Sequence, residues 1–249
     1  MSCPELQVES SHTSLPSFVI AELDTIIKRF CKQSQLTDAL ISAAEDMKKK
    51  IKSILEKVFP CWDVELSIYG SLENGFGSSH SDVDMSFRFT EKSGRGQIMS
   101  PHVLSWQLIA RYLKSAGFTM AEPIMAKVCL VKWQSRKLHG DLTYNNQEAL
   151  LNSDLLRKYC EWDNRLPQLG LYVKEWAKYC RMGNAAAGGL SSYTWTILVI
   201  HFMQRTSPPI IPFLQDKPYP DDVPISERKS GFYSGPVDTH PSIRSFFPF

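Results

Sequence analysis

The stretch that decides the fold reads YGSLENGFG at residues 69–77. Residues 63–69, which lead into its first glycine, alternate apolar and polar side chains, a pattern typical of a half-buried strand. That strand ends in a glycine-serine turn at Gly70 and Ser71, and the backbone amides of such a turn are suited to hold phosphate. The sequence therefore predicts a strand that delivers a phosphate-binding turn.

A second predicted strand follows closely and carries two carboxylates. Residues 83–89 again alternate with a period of two, which places Asp82 and Asp84 together on the polar face. An isolated Asp-x-Asp is more often part of an exposed strand edge, but the neighbouring glycine-serine turn argues against that interpretation here. Paired carboxylates beside a phosphate-binding turn are what a magnesium-dependent phosphoryl or nucleotidyl transfer site requires, because magnesium prefers hard oxygen ligands.

A third acid lies farther along the chain. Residues 138–145 form another predicted strand, and Asp141 lies on its polar face. Two metal ions about 3.5–4 Å apart need at least three carboxylates between them, so Asp141 is the best candidate for the third, if its strand pairs beside the one that carries the first two. His80 and His139 are interpreted as bystanders, because metal ions activate an attacking hydroxyl without a general base.

Composition sets broad limits on the class of protein. The chain has 249 residues, of which 43% are hydrophobic and 22% charged, and its net charge of +2 does not by itself indicate a nucleic-acid partner. Six scattered cysteines without a Cys-x-x-Cys pair argue against structural zinc and favour a reducing compartment. With no secretory start and no apolar run of about 18 residues, the sequence predicts a soluble intracellular protein.

The predicted elements divide the chain into four parts. Residues 1–15 are polar and aperiodic and are expected to form a flexible tail. Residues 16–55 carry two helices that belong partly to a helical domain, whereas residues 56–150 hold the strands and the acids. Residues 151–249 are helical again until prolines become frequent. The predicted fold class is therefore α+β, with a small mixed sheet packed on a helical domain.

Three element predictions are specific enough to be checked. The second helix is expected to begin after Thr37, which acts as its N-cap, and to end before Pro60. Residues 125–133 are predicted to form one continuous extended run. Residues 193–204 are almost entirely apolar, which indicates a central buried helix without a polar face.

Five motifs, taken in order, resemble those of the terminal RNA nucleotidyltransferases of the polymerase-β-like superfamily, which include terminal uridylyltransferases and cytoplasmic-type poly(A) polymerases. The resemblance covers roughly residues 55–215. It implies a nucleotidyltransferase palm packed on a helical central domain of the poly(A) polymerase-associated type. The motifs are the glycine-serine turn with Asp82-x-Asp84, DLTYNN at 141–146 with Asn152, VKEWAK at 173–178, GLSSY at 189–193 and PPIIPFLQ at 208–215.

The resemblance also implies a role for each acid. Asp82 and Asp84 would bind two Mg²⁺ or Mn²⁺ ions, and Asp141 would bind the ion that activates the RNA 3′-hydroxyl. Gly70 and Ser71 would hold the β- and γ-phosphates through turn amides and the serine hydroxyl.

The remaining implied contacts are with the other parts of the nucleotide. Without the resemblance, Lys174 and Lys178 would be explained equally well as part of a solvated helix face. Tyr193 would be explained as a core residue. The implied partners are Lys174 and Lys178 for the triphosphate, Ser192 and Tyr193 for the base, and Asn152 and Ser153 for the ribose hydroxyls.

The chain departs from the family pattern in three places, one of which is residues 183–187, which read GNAAA where the family has an acidic dipeptide before the GLSSY motif. Residues 165–169 read RLPQL where the family usually has Arg-Val-Arg-Pro-Leu. Family members also continue beyond the last motif with further helices and a base-recognition loop, whose histidine favours uracil, and His240 does not match that setting. The helical domain is therefore expected to be truncated at its C-terminal end, which would leave Leu198, Ile200 and Phe202 poorly covered.

The function that the resemblance implies is metal-dependent addition of ribonucleotides to RNA 3′ ends with release of pyrophosphate, with UMP from UTP favoured. The alternatives are an AMP-adding poly(A) polymerase, a catalytically silent truncated isoform that binds RNA or a partner, and transfer to a small-molecule acceptor. The implied partners are an RNA 3′ end, UTP or ATP, and an RNA-binding protein. A monomer in the cytoplasm or nucleus, without membrane attachment, is expected.

Overall fold

A five-stranded mixed sheet forms the centre of the fold. The computed structural model describes residues 15–92, 99–101 and 104–215, so the predictions for the N-terminal tail, for His240 and for the proline-rich C-terminal segment lie outside the described residues. The sheet has the order β1-β2-β5-β4-β3, and β2 and β5 are parallel whereas the other neighbours are antiparallel. The strands are β1 (Trp62–Tyr69), β2 (Asp84–Glu91), β3 (Met120–Ile124), β4 (Leu130–Ser135) and β5 (Leu138–Tyr144).

Six α-helices accompany the sheet within residues 15–92, 99–101 and 104–215, which confirms the predicted mixed α+β class. None of the helices in the described part of the chain is both long and apolar enough to cross a bilayer. Their bounds are α1 (Ser17–Ser34), α2 (Asp38–Val58), α3 (Trp106–Ser115), α4 (Gln147–Trp162), α5 (Arg165–Tyr179) and α6 (Ser192–Arg205).

One face of the sheet is apolar and is covered by α2 and α3. The strands alternate buried and less buried residues, as the period-two pattern predicts, and Phe87 and Trp133 on the covered face are fully buried. They pack with Ile51 of α2 and Ile109 of α3 in one cluster, the sheet core. The predicted N-cap of α2 is confirmed, because the Thr37 hydroxyl accepts a hydrogen bond from the Leu40 amide at 3.3 Å.

A second apolar cluster, the helical core, lies among α4, α5 and α6. It contains Leu156, Leu166 and Ile200, and it also takes in Phe76 from the loop that follows β1. Gly170 of α5 makes this possible, because a Cβ at that position would lie 2.3 Å from the Phe76 ring. The loop that carries the predicted phosphate-binding turn is thereby anchored in both halves of the molecule.

Two of the element predictions are wrong. Residues 125–133 are not one extended run: the chain forms β3 earlier, turns, and starts β4 at Leu130. The short strand β3 contains Pro123 and lies at the edge of the sheet, which is where a strand tolerates a residue that lacks an amide hydrogen. Helix α6 is not central, because Leu198 is 44% and Phe202 60% exposed on one side of it.

Candidate active site

A transverse row of polar side chains crosses the second, open face of the sheet. The β1–β2 register pairs Tyr69 with Asp84. The parallel register of β2 and β5 sets Asp84 beside Asp141, whose backbone amide donates a hydrogen bond to the Asp84 Oδ1 at 3.2 Å. The β4–β5 register then pairs Asp141 with Lys132, and the β3–β4 register pairs Lys132 with Glu122. The pairing predicted for the strands of Asp84 and Asp141 is therefore present.

The approach of these two strands depends on a glycine. Gly140 precedes Asp141 in β5, and a Cβ at this position would lie only 2.0 Å from the Val83 carbonyl oxygen. The Val83 amide in turn donates to the His139 carbonyl at 2.8 Å. Because only glycine fits against the backbone here, the local sequence His-Gly-Asp is what allows the acids of β2 and β5 to lie side by side.

The paired acids carry negative charge that the protein does not neutralise. Burial, with a further contribution from the nearby charges of Asp141 and Asp82, raises the pKa of Asp84 to about 7, against the hydrogen bond from the Asp141 amide. Burial and the Asp82 charge also raise the pKa of Asp141, although Lys132 opposes this. Buried carboxylates that disfavour each other's ionisation fit a divalent cation, which would supply the missing positive charge.

The first acid has a different partner. The Asp82 carboxylate lies 2.8 Å from the His139 Nε2, so the histidine interpreted as a bystander contacts a candidate metal ligand. Among the described residues, no three histidine, cysteine or acidic side chains already stand in a metal-binding arrangement. Asp82 would therefore have to leave His139 and turn toward Asp84 when an ion binds.

The glycine-serine turn lies directly against the acids. Gly70 has a φ of +73°, which favours glycine, and a Cβ there would lie 3.1 Å from the Asp84 Oδ2. Its amide donates a hydrogen bond of 2.7 Å to the Ser153 Oγ, which donates to the Ala149 carbonyl at 2.8 Å. In the free protein Ser153 therefore holds the turn in place, and its predicted contact with ribose stays a prediction.

The two lysines of α5 have different environments. Lys174 is 7% exposed, and its ammonium donates to the Ser71 Oγ at 3.2 Å and to the Phe76 carbonyl at 2.9 Å. Burial lowers the pKa of Lys174 to about 8, and the Lys178 charge adds to the shift. Lys178 is exposed and forms an ion pair of 2.7 Å with Glu175. Lys174 therefore meets the predicted phosphate-binding turn, whereas Lys178 does not.

A cleft of about 300 Å³ opens between this end of the sheet and helices α4, α5 and α6. Tyr193 is 43% exposed beside it, so one side of its ring is free for a ligand. Of the predicted site residues, Asp82, Asp141 and Lys178 do not line the cleft. Those that do are Gly70, Ser71, Asp84, Asn152, Ser153, Lys174, Ser192 and Tyr193.

The structure adds two residues to this site that the sequence analysis did not identify. Tyr69 lines the cleft beside Asp84, and burial raises the pKa of its hydroxyl to about 12. Asn74 is buried, and its side-chain oxygen accepts a hydrogen bond from the Phe76 amide at 2.9 Å, which fixes the loop. Their only signal in the sequence is their place in the quoted stretch, since neither residue type is specific for nucleotide chemistry.

Comparisons with known proteins identify similar sequences. The family model of the central palm domain of mitochondrial-like poly(A) RNA polymerases matches residues 23–161. Poly(A) RNA polymerase GLD2 of Danio rerio is 34% identical over 198 residues, which are 78% of this chain and 39% of that protein. Terminal uridylyltransferase 7 of Homo sapiens is 32% identical over 222 residues, which are 86% of this chain and 14% of that protein. This chain thus spans less than half the length of either relative.

Solved structures show the same fold. The structure of the GLD-2/RNP-8 complex is 26% identical with a TM-score of 0.70, and the match covers 83% of this chain and 65% of that one. The Cid1 poly(U) polymerase with magnesium and 3′-dATP has a TM-score of 0.73 at 24% identity, over 88% of this chain and 67% of that one. The second likeness concerns the fold alone.

Proposed function

Because the chain belongs to the terminal RNA nucleotidyltransferase family, we propose that it transfers nucleoside monophosphates from ribonucleoside triphosphates to the 3′-hydroxyl of RNA. One observation carries the proposal. The half-buried acids Asp84 and Asp141 lie side by side next to a cleft that Asp84 lines and in which Lys174 is hydrogen-bonded to Ser71. A triphosphate in that cleft would have its terminal phosphates at the lysine and its α-phosphate toward the acids.

Asp82, Asp84 and Asp141 are the residues that would hold Mg²⁺ or Mn²⁺. When two such ions are bound, they lower the pKa of the attacking hydroxyl and stabilise the charge of the leaving pyrophosphate. Two ions are proposed because three carboxylates supply enough oxygen ligands to share between them.

The protein's own groups do the rest of the binding and positioning. The Lys174 ammonium and the Ser71 hydroxyl, 3.2 Å apart, would bind the β- and γ-phosphates as a charged and a neutral donor. Ser153 would act through the Gly70 amide, to which it is bonded, by fixing the turn against the acids. We retain Lys178 as a contact of the γ-phosphate that requires its ammonium to leave Glu175.

The base and the ribose would be held by the helical wall. The half-exposed Tyr193 ring offers a stacking surface at the start of α6, and Ser192 lies beside it in the cleft. Asn152 of α4 lines the same cleft and has an amide that can bond ribose hydroxyls. These contacts would discriminate a ribonucleotide from a deoxyribonucleotide.

We propose UTP as the preferred donor. The support is the likeness of the sequence around residues 165–178 to terminal uridylyltransferases. ATP is the second candidate, because the similarity to poly(A) RNA polymerase GLD2 of Danio rerio is of equal strength.

An RNA-binding protein partner is proposed as well, since GLD-2 has been solved in a complex with RNP-8. We also propose a monomer in the cytoplasm or nucleus; the free thiols of the five described cysteines support a reducing compartment.

An extension assay tests the proposed function. The 249-residue protein would be incubated with Mg²⁺, a 5′-labelled short RNA and each of the four ribonucleoside triphosphates separately. We expect a ladder of products with UTP, and none with the variant Asp84→Asn. Asp46→Asn is the matched control, because this acid is exposed on α2 and far from the cleft. Equal product from the parent protein and from Asp84→Asn would contradict the proposal.

A further inference from the structure

The half of the open sheet face formed by β3, β4 and the start of β5 is exposed. Glu122, Lys132, Gln134 and His139 are all exposed there, and Ile124 at the edge is 37% exposed. The opposite face of the same strands is buried under α3 through residues such as Trp133. We call the residues of β3 and β4 on this side, which are exposed or half-buried, the open edge surface; it comprises Met120, Glu122, Ile124, Leu130, Lys132 and Gln134.

The paired acids separate this surface from the nucleotide cleft. Along the transverse row, Tyr69 lies on one side of Asp84 and Asp141, where the cleft and the helices α4 to α6 are. Lys132 lies on the other side, next to Asp141. Neighbouring strands are about 4.8 Å apart, so Lys132 is about one strand spacing from the acid proposed to serve the attacking hydroxyl. If the triphosphate fills the cleft, the acceptor must reach the acids across the open edge surface.

Lys132 is a suitable group for an approaching phosphate. Its charge lowers the pKa of Asp141, so the two side chains are close enough to interact, yet Lys132 forms no ion pair with any described residue. By contrast, three lysines of α2, on the far face of the sheet, are each paired with an acid of their own helix. An exposed ammonium without an ion-pair partner is available to a ligand phosphate.

We propose that Lys132 binds the last phosphodiester of the RNA acceptor and that the open edge surface carries its terminal nucleotides. This inference rests on the proposed function and names where its second substrate binds. The strand fixes the position of the Lys132 Cα relative to Asp141, so a phosphate held by the ammonium would bring the adjacent 3′-hydroxyl toward that acid. The side chain of Gln134, two residues along β4, offers a neutral donor on the same face.

A simpler role for Lys132 would be to neutralise Asp141 and Glu122, its two cross-strand neighbours. The two roles differ in what they affect. Loss of a neutralising charge would change turnover and the pKa of Asp141 but not the affinity for RNA. Loss of a phosphate contact would weaken RNA binding, and would reduce the number of counterions released on binding by about one.

The experiment compares three variants of the 249-residue protein. Lys132→Met removes the charge and keeps the length of the side chain, and Lys132→Arg keeps the charge. Lys57→Met is the matched control, because Lys57 is exposed near the end of α2 on the covered side of the sheet. RNA affinity is measured by fluorescence anisotropy of a labelled oligouridine at several KCl concentrations without nucleotide or metal. Steady-state extension then gives KM separately for RNA and for UTP.

We expect Lys132→Met to weaken RNA binding about tenfold, as loss of a charge-assisted contact of about 1.4 kcal/mol would. The slope of log affinity against log salt should fall by about one, KM for UTP should not change, and Lys132→Arg should recover most of the affinity. The control should match the parent protein. An unchanged RNA affinity with reduced turnover would overturn the inference, as would a parent protein that binds no RNA.

The RNA-binding measurement and the extension assay test this inference and the proposed function separately. If neither the parent protein nor any variant extends RNA but Lys132→Met still loses RNA affinity, the proposed activity is wrong and the RNA contact of Lys132 is supported. If RNA is extended and Lys132→Met binds it as the parent does, the activity stands and the acceptor surface fails.

Discussion

The sheet half and the helical half of this protein differ in how completely they cover their apolar residues. In the sheet half, α2 and α3 close over the strands, and Ile51, Phe87 and Trp133 are fully buried. In the helical half, α1 has no buried residue and Phe202 of α6 is 60% exposed. The acids are therefore mounted on the better packed half, whereas the proposed base and ribose contacts lie on the half that can adjust more easily.

The two halves also bring opposite charges to the cleft between them. The sheet half presents the acids, with the pKa of Asp84 raised to about 7. The helical half presents Lys174, whose pKa is lowered to about 8 mainly by burial, although the Asp82 charge partly opposes that shift. Both groups are buried at a cost in stability and neither neutralises the other. A metal-bound triphosphate would be complementary to both groups at once. Variants that remove either the acids or Lys174 therefore test the two halves separately.

The largest effect is expected from the acids. Asp84→Asn should lower the rate of RNA extension by at least about 10³-fold, because it removes a ligand of the metal ions. The same change should stabilise the metal-free protein at pH 8, because it removes a desolvated charge that lies beside the charges of Asp141 and Asp82. Thermal unfolding in EDTA and extension in Mg²⁺ measure the two effects. Loss of both activity and stability would show instead that Asp84 is a structural residue.

The stability of the metal-free protein should decrease with pH because of Asp84. The pKa of Asp84 rises from 3.8 to about 7 on folding, so the folded state binds the proton more tightly than the unfolded chain. Its contribution to stability is complete below pH 3.8 and is lost as the pH rises through about 7. In EDTA the free energy of unfolding should therefore fall by up to about 1.4 kcal/mol per pH unit in this range. If the free energy of unfolding of the parent protein and of Asp84→Asn changed equally with pH, the raised pKa of Asp84 would be contradicted.

The next largest effect is expected on the helical side. Lys174→Met should lower kcat/KM for the nucleotide by about 10²-fold, because it removes the charged donor for the triphosphate. In the parent protein, nucleotide affinity should fall as the pH rises through about 8, since Lys174 then loses its proton. Lys178→Met, on the exposed side of the same helix, should cost much less. Equal losses from both variants would mean that the lysines act as a pair.

Substitution of one glycine in each half should affect the free energy of unfolding to different extents. Gly140→Ala should destabilise the fold by about 3 kcal/mol or more, because the new Cβ would meet backbone, the Val83 carbonyl, at 2.0 Å. Gly170→Ala should cost less, about 2 kcal/mol, because the new Cβ meets a side chain, the buried Phe76 ring, rather than backbone, and alanine favours the helix. Urea denaturation measures both. A larger loss for Gly170→Ala would show that the helical half is the more rigid one.

The smallest effect is expected on the exposed side of α6. Phe202→Ser should change the free energy of unfolding by no more than about 0.5 kcal/mol, because the ring is 60% exposed. Leu55→Ala in the fully buried sheet core is the contrasting variant and should cost about 3 kcal/mol. Denaturation curves of the two proteins, recorded side by side, test this. A loss above about 1.5 kcal/mol for Phe202→Ser would show that another part of the chain covers this face in solution.

The parts of the fold that the sequence predicted well are those with strong local signals. The alternation of residues 63–69 and 83–89 located β1 and β2, and Thr37 located the start of α2. The sequence missed β3, because Pro123 and the short length of the strand hide its period. It expected residues 193–204 to form a central buried helix and, from the early C-terminus, expected Leu198, Ile200 and Phe202 to be poorly covered. Leu198 and Phe202 are exposed, whereas Ile200 is buried, because an apolar run does not show which side of the helix lacks a neighbour.

The candidate site shows the same division. The three acids and the glycine-serine turn could be proposed from the sequence because their chemistry is visible in residue types and spacing. The contact of His139 with Asp82 and the bond from Gly70 to Ser153 were not, because each joins elements through a pairing that only the fold specifies. Lys132 was missed for the same reason, since the β4–β5 register alone brings it beside Asp141.

The most direct test of the central claim is to locate the metal ions. Crystals of the protein grown with Mn²⁺ and a non-hydrolysable UTP analogue would be measured for anomalous scattering. We expect Mn²⁺ peaks bound by Asp84 and Asp141, with Asp82 turned from His139 to join them and the triphosphate against Lys174. Nucleotide bound in the cleft without any Mn²⁺ peak at these carboxylates would contradict it.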